Sequence, residues 1–169
     1  MTEPGGIKAK QFAMPERPLR NSAKALIIQA DKVLCTSNID LLGEFYLLPG
    51  GGQNHGETLK DAVIRECHEE IGARVEPGNL YFVREYISAN HELAEFDDSI
   101  HQIEFIFACT LAGPVNYEKS SGVDAMQTGV IWLPVAELQN YRFYPRSLIE
   151  HIQKFPPASF SSVYLGDTL

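Results

Sequence analysis

The most regular pattern of apolar and polar positions runs from Leu59 to Ile71, where apolar residues recur at the spacing of a helix. Thr58 precedes this segment with Asp61 three positions later, as in a capping box, and Gly72 follows it. A glycine at that position can adopt the left-handed conformation that closes a helix. The pattern therefore predicts a helix over Leu59–Ile71.

Two glutamates lie on the apolar side of this predicted helix. At about 100° per residue, Glu66 and Glu70 project within roughly 20° of Leu59, whereas Arg65 lies on the opposite side and Glu69 at the edge. Burying unpaired carboxylates costs several kcal/mol. The pattern indicates a bound cation, a cleft or both, unless the acids are solvated and paired at helical spacing.

The rest of the chain contains short alternating or apolar segments that are typical of strands. Predicted strands cover residues 22–29, 32–36, 45–48, 74–76, 80–88, 101–111 and 129–133, and a closing helix covers residues 145–154. We expect a hairpin turn at Ala30 and Asp31, and at residues 50–52 a tight glycine turn that lets the backbone approach a ligand. This order predicts an α/β (α+β) domain with a mixed β-sheet between helices.

Length and composition favour one domain over residues 22–169, preceded by an arm over residues 1–21 that contains several Pro and Gly. No apolar stretch approaches the roughly 18 residues of a membrane span, and the first residues lack the apolar run of a secretion signal. We therefore expect a cytoplasmic protein with no membrane partner. Cys35, Cys67 and Cys109 are odd in number and widely spaced, so we expect reduced core thiols.

The charge balance is acidic, with 22 Asp and Glu against 14 Lys and Arg and a formal net charge of −8. No Lys/Arg cluster offers the basic stripe that long nucleic acid requires, so such a partner is not expected. Divalent cations bound to the acids would still attract an anionic small molecule. Mg²⁺ suits this role because it prefers oxygen ligands shared between carboxylates and substrate phosphates.

The segment from Gly51 to Ala73 resembles the Nudix box, GX5EX7REUXEEXGU with U an aliphatic residue. All its fixed positions are filled, by Gly51, Glu57, Arg65, Glu66, Glu69, Glu70 and Gly72, while Cys67 and Ala73 occupy the aliphatic positions. The sequences LLPGG at residues 47–51 and WLPVAEL at residues 132–138 also look like this family. The resemblance implies the Nudix fold and a Mg²⁺-dependent pyrophosphohydrolase, with Mn²⁺ as a substitute.

The same resemblance implies a metal site. Glu66 and Glu70 would be inner metal ligands, Glu69 would bind the metal directly or through water, and the Gly50 carbonyl would add an oxygen. Arg65 would orient these glutamates through ion pairs, with Glu57 as one partner, or would be a solvated helix cation.

Family members take the general base either from the box or from a distant carboxylate. Glu66 is one candidate, and Glu104, Glu118 and Asp124 are others, each of which could also be a solvated side chain. Candidate substrate contacts are Gly51, Gly52, His101, Glu104 and Asp124. Strand alternation puts His101 on the same side as Ile103, so a semi-buried hydrogen-bonded histidine is the competing interpretation. Residues 88–100, with His91, Phe96, Asp97 and Asp98, and residues 113–128, with Tyr117, are expected to recognise the rest of the substrate.

The favoured substrate is a nucleoside diphosphate linked to another moiety, namely ADP-ribose or a nucleotide sugar. This preference rests on the resemblance of HQIEF at residues 101–105 and YRFYP at residues 141–145 to ADP-ribose-hydrolase-like members. A nucleoside triphosphate pyrophosphohydrolase that cleans the nucleotide pool is the alternative enzyme, and a non-catalytic nucleotide sensor is the alternative of another class. A homodimer is left open.

Overall fold

The computed structural model describes residues 19–91, 94–95 and 99–156, and the backbone of residues 164–167. Most of the predicted N-terminal arm, residues 1–18, therefore lies outside the described residues, as do Phe96, Asp97 and Asp98 of a predicted recognition segment. The described chain begins its first strand at Arg20.

The described residues fold into strands and helices that form two mixed sheets. The strands are β1 (Arg20–Leu26), β2 (Ile28–Gln29), β3 (Lys32–Asp40), β4 (Gly43–Leu47), β5 (Gly50–Gly52), β6 (Val75–Ile87), β7 (His101–Leu111), β8 (Gln127–Pro134), β9 (Phe143–Tyr144) and β10 (Tyr164–Asp167). The α-helices are α1 (Leu59–Ile71) and α2 (Ile149–Gln153), and 3₁₀ turns cover Ser88–Asn90, Tyr117–Lys119, Val135–Asn140 and Arg146–Leu148.

Strand pairing divides the predicted mixed sheet into two. The first sheet has the order β10-β6-β7-β1-β5, with β1 parallel to β7 and antiparallel to β5. The second has the order β2-β3-β4-β9, with β8 also paired to β3. The predicted fold class, a mixed α+β domain, is confirmed.

Helix α1 has the predicted bounds because both of its ends are capped as the sequence indicates. The hydroxyl of Thr58 accepts a hydrogen bond from the backbone N–H of Asp61 at 3.1 Å, and Gly72 takes the left-handed conformation with φ of 61°. The predicted hairpin turn is also present: Ala30 and Asp31 have φ of 48° and 57° between antiparallel β2 and β3. Positive φ at both central residues matches the twist that a two-residue hairpin needs.

Several predicted elements differ from the structure. The predicted strand over residues 22–29 is divided between β1 and β2, which belong to different sheets. Residues 50–52 form strand β5 instead of a tight turn, and a Cβ at Gly50 would collide with the carbonyl oxygen of Ala23. The glycines therefore allow close approach to the backbone of β1. Residues 74–76 and 80–88 belong to one strand, β6, whose pairing is irregular near Pro77. The closing helix is shorter than predicted because its first turn, Arg146–Leu148, is 3₁₀.

Two apolar clusters hold these layers together. The first lies between α1 and one face of the first sheet: Ala23, Ala25, Ile27, Leu34, Ala62, Val63, Cys67, Ile71, Ala73, Val75, Phe107 and Cys109. The second lies on the other face, where both sheets and α2 contribute, and includes Leu26, Phe82, Ile106, Leu133, Phe143, Leu148 and Ile152. Cys35, Cys67 and Cys109 are buried thiols outside any disulfide, as expected. Among the described residues, no helix is long and apolar enough to cross a membrane.

Candidate active site

Helix α1 is attached to the edge strand β5 by polar side chains of the box. The backbone N–H of Gly50 donates to a carboxylate oxygen of Glu70 at 2.7 Å, and the guanidinium of Arg65 donates to the carbonyl of Gly52 at 2.8 Å. The box acids and the glycine strand therefore form one unit at the edge of the first sheet.

The Arg65 guanidinium connects three glutamates of the box. It contacts Glu57 at 2.8 Å, Glu66 at 2.8 Å and Glu69 at 3.0 Å. The ion pair with Glu57 is the one predicted, and the hydrogen bond from Arg65 lowers the pKa of that carboxyl below its ordinary value. A planar guanidinium can hold several carboxylates at once because its N–H groups diverge in a fixed plane.

Glu70 is the most deeply buried acid of the box, with 7% of its surface exposed. Burial raises the pKa of Glu70 to about 7, while the charge of Lys24 and the hydrogen bond from Gly50 act in the opposite direction. The side-chain amide of Gln127 donates to the backbone carbonyl of Glu70 at 2.8 Å, so β8 braces the last turn of α1. The inward direction predicted for Glu70 is thus present.

The donor set fits a hard divalent cation, although its side chains are not preassembled around one point. The predicted ligands are carboxylate and carbonyl oxygens, as Mg²⁺ prefers, and the Lys24 ammonium already donates to the Gly50 carbonyl. The Glu66 carboxylate lies 2.5 Å from the position of a Cβ on Gly51, in space that only glycine leaves open. Within the described residues, no three His, Cys, Asp or Glu side chains are grouped to hold a metal. Arg65 contacts one carboxylate oxygen each of Glu66 and Glu69, so the second oxygen of each side chain would be left for a metal ion.

A cavity of about 440 Å³ opens between the two sheets beside β5. Its walls include Gly50, Gly51, Gly52, Glu104 and Asp124, which were among the predicted ligand contacts. His101 and Glu118 are not among its lining residues. In β7 the residues that line the cavity are Gln102, Glu104 and Ile106, and strand alternation puts His101 on the opposite face with Phe105.

Glu104 is engaged in a buried ion pair. Its carboxylate contacts the Arg84 guanidinium at 2.5 Å, both side chains are 7% exposed, and Gln102 donates to the second carboxylate oxygen at 2.8 Å. Burial alone would raise the pKa of Glu104, but Arg84 and Lys24 hold it below its ordinary value. Glu104 is therefore an ionised structural partner of Arg84 in this arrangement.

Sequence reasoning missed several polar and aromatic groups of the cavity. Arg142 binds both carboxylate oxygens of Asp40, at 2.7 and 2.8 Å, and lies over the rings of Phe45 and Tyr144. On the opposite wall, the ring of His91, which belongs to a predicted recognition segment, stacks on the ring of Tyr86 with centroids 4.9 Å apart. A charge inside an apolar segment was the available signal for Lys24 in AKAL and for Arg84 in FVREY. The pairing of Asp40 with Arg142 had no local signal.

The sequence profile of the NUDIX domain matches residues 18–152. The chain therefore belongs to the Nudix hydrolase family and is a pyrophosphohydrolase acting on small-molecule substrates. Enzymes of this family generally depend on divalent metal ions. No curated protein sequence matches the chain.

Solved structures of Nudix proteins share the fold. A Nudix hydrolase from Nitrosomonas europaea has a TM-score of 0.64 and 19% identity over 80% of this chain and 86% of its own. A MutT protein from Methanosarcina mazei Go1 has a TM-score of 0.62 and 22% identity over 83% and 97%. An ADP-ribose pyrophosphatase from Streptococcus suis 89-1591 has a TM-score of 0.58 and 17% identity over 88% and 98%. At these identities the likeness shows the fold alone.

Proposed function

We propose that this protein hydrolyses the phosphoanhydride bond of a nucleoside diphosphate joined to a second moiety, with ADP-ribose or a nucleotide sugar as substrate and Mg²⁺ as the ion. One observation carries the proposal. The box acids on α1 meet the glycine strand β5 at the wall of a cavity that holds both aromatic rings and hydrogen-bonding side chains. Such a cavity can bind a nucleoside, and the acids with a bound metal ion can bind a diphosphate beside it.

The metal would be held by Glu66, Glu70 and the Gly50 carbonyl, with Glu69 as a direct or water-mediated ligand. When bound, the ion neutralises charge that develops on the phosphate oxygens and positions water for attack. Arg65 keeps Glu66 and Glu69 near the strand, and Glu57 fixes the Arg65 guanidinium from the other side. In this scheme Arg65 is a positioning residue, because it reaches the reacting atoms only through the glutamates.

Glu66 and Asp124 are the better candidates for the general base. Glu104 is paired with Arg84 inside the cavity wall, and Glu118 does not line the cavity. Asp124 lines the cavity and its charge acts on Glu70, whereas Glu66 lies against Gly51. A base must come within hydrogen-bond reach of the attacking water, directly or through one further water.

The nucleoside would occupy the cavity between the sheets. Phe45 and Tyr144 on one wall and the Tyr86–His91 stack on the other provide flat apolar surfaces, and Asn38 and Gln102 provide amide groups. Aromatic surfaces with a few placed polar groups are typical of sites that bind a base.

The test is to incubate the purified protein with Mg²⁺ and ADP-ribose, nucleotide sugars, dinucleoside polyphosphates or nucleoside triphosphates, and to identify the products. Release of AMP and ribose phosphate from ADP-ribose, or of a nucleoside monophosphate and sugar phosphate from a nucleotide sugar, is expected. Pyrophosphate and a monophosphate from a triphosphate would support the alternative enzyme. Lack of turnover with nucleotide binding retained would support a sensor. Glu70→Gln is expected to abolish most turnover while the fold survives.

A further inference from the structure

Arg20, the first residue of β1, lies directly on the backbone of the glycine strand. One terminal nitrogen of its guanidinium is 2.6 Å from the position that a Cβ on Gly52 would take. Any side chain at Gly52 would therefore displace Arg20. Because β1 pairs with β5 through Ser22 and Gly52, Arg20 reaches across this pairing to the cavity side of β5.

Four basic side chains line the cavity, namely Arg20, Lys24, Arg84 and Arg142. Arg84 is paired with Glu104, Arg142 with Asp40, and Lys24 donates to the Gly50 carbonyl. Within the described part of the chain, the Arg20 side chain forms no hydrogen bond and no ion pair. Its donors are thus available to an anion that enters the cavity.

Two clefts meet at Arg20. It lines the 440 Å³ cavity and also a polar cleft of about 420 Å³ whose other walls include Asn21, Gln53, Asn54 and His55. A ligand that spans both clefts places its linking group at the guanidinium. In a nucleoside diphosphate joined to a second moiety, that linking group is the diphosphate.

The Glu66 carboxylate approaches the same strand one residue earlier, at Gly51. Gly51 faces the Glu66 carboxylate and Gly52 faces Arg20, in line with the alternation of strand residues between opposite faces. The acids and the cation are therefore separated only by glycine backbone. A diphosphate at this strand would find the acids with their ion on one side and a fixed positive charge on the other.

We propose that Arg20 binds a phosphate group of the substrate over the Gly52 backbone, with the nucleoside in the cavity between the sheets and the second moiety in the polar cleft. The identity of the ligand rests on the proposed function. A guanidinium suits this position because its planar fork can donate two hydrogen bonds to one phosphate. The absence of a side chain at Gly52 leaves open the space in which the guanidinium lies.

The test compares Arg20→Gln and Arg20→Lys with Arg74→Gln, which makes the same charge change at an exposed site outside both clefts. Calorimetry measures binding of ADP and of adenosine to each protein without turnover. Arg20→Gln is expected to weaken ADP binding about tenfold or more and to leave adenosine binding within about twofold. Arg20→Lys should recover part of the loss, since it keeps the charge without the fork.

Three results would overturn the assignment: wild-type protein that binds ADP no better than adenosine, equal losses for ADP and adenosine, or the same loss in Arg74→Gln. Steady-state kinetics separates this failure from failure of the proposed function. If Arg20→Gln hydrolyses ADP-ribose with an unchanged KM, the assignment of Arg20 is wrong and the proposed function stands. If ADP binding depends on Arg20 but no substrate is hydrolysed, the proposed function is wrong and the assignment of Arg20 stands.

Discussion

The buried carboxylate of Glu70 leads to a prediction about stability that is independent of turnover. Glu70→Gln should make the metal-free protein more stable near neutral pH, although it removes a carboxylate of the proposed metal site. The substitution keeps the size of the side chain and an oxygen that can accept the hydrogen bond from Gly50. It removes the charge whose burial is unfavourable.

The magnitude follows from the pKa of Glu70, which burial raises from 4.5 to about 7. Below pH 4.5 the carboxyl is protonated in both folded and unfolded chains, and ionisation then favours the unfolded chain as pH rises to about 7. A tenfold change in proton affinity corresponds to about 1.4 kcal/mol. The free energy of unfolding of the wild type therefore falls by about 3 kcal/mol across this pH range. The free energy of unfolding of the Glu70→Gln variant does not fall in this way, because glutamine carries no ionisable group. For a chain of this length, the Tm of the variant should exceed that of wild type by roughly 6–12 °C above neutral pH.

The assay is thermal unfolding in a chelator at about pH 5 and about pH 8, with Glu118→Gln as a control at an exposed carboxylate. The difference between Glu70→Gln and wild type should be small at the lower pH and near its full value at the higher one. Glu118→Gln should follow wild type at both. A Glu70→Gln protein that is no more stable than wild type at the higher pH would refute the reasoning, and so would a difference that does not change with pH.

Three further substitutions address other parts of the site. Arg65→Lys should lower kcat/KM about tenfold or more and raise the Mg²⁺ concentration needed for half-maximal rate. The reason is that an ammonium group cannot replace the planar guanidinium. A change in Tm alone would contradict a positioning role. Gly51→Ala should displace a carboxylate and reduce activity with little change in Tm, whereas Gly113→Ala, which has open space around it, should be neutral in both assays. Glu104→Gln should lower the free energy of unfolding in urea by about 1–3 kcal/mol, since it leaves the Arg84 charge buried without its counter-ion. An unchanged free energy of unfolding would show that the fold does not depend on this ion pair.

The sequence predicted elements whose boundaries depend on neighbouring residues. Thr58 and Gly72 cap α1 through contacts within a few positions, and Ala30 and Asp31 turn the chain between two adjacent strands. Strand β5 could not be predicted in this way, because glycine has low strand propensity and its place in the sheet depends on pairing with β1.

The acid cluster of the site could be predicted because its residues lie on helix α1 or directly before it. The spacing of Glu66 and Glu70 indicated their inward direction, and Arg65 with Glu57 was expected as an ion pair. The cavity walls come from strands that are distant in sequence: Arg142 pairs with Asp40 across 102 positions. Lys24 and Arg84 were visible as charges in apolar segments, but their partners depend on strand register, which the sequence alone did not specify.

Metal binding tests the central claim most directly. Metal-free wild-type protein, Glu66→Gln and Glu70→Gln would be titrated with Mn²⁺ in the presence of ADP, and unbound Mn²⁺ would be measured by electron paramagnetic resonance. We predict saturable uptake by the wild type that Mg²⁺ displaces, with affinity reduced at least about tenfold in each variant. Equal uptake by all three proteins, or no uptake by the wild type even with ADP, would contradict the assignment of the box acids as the metal site.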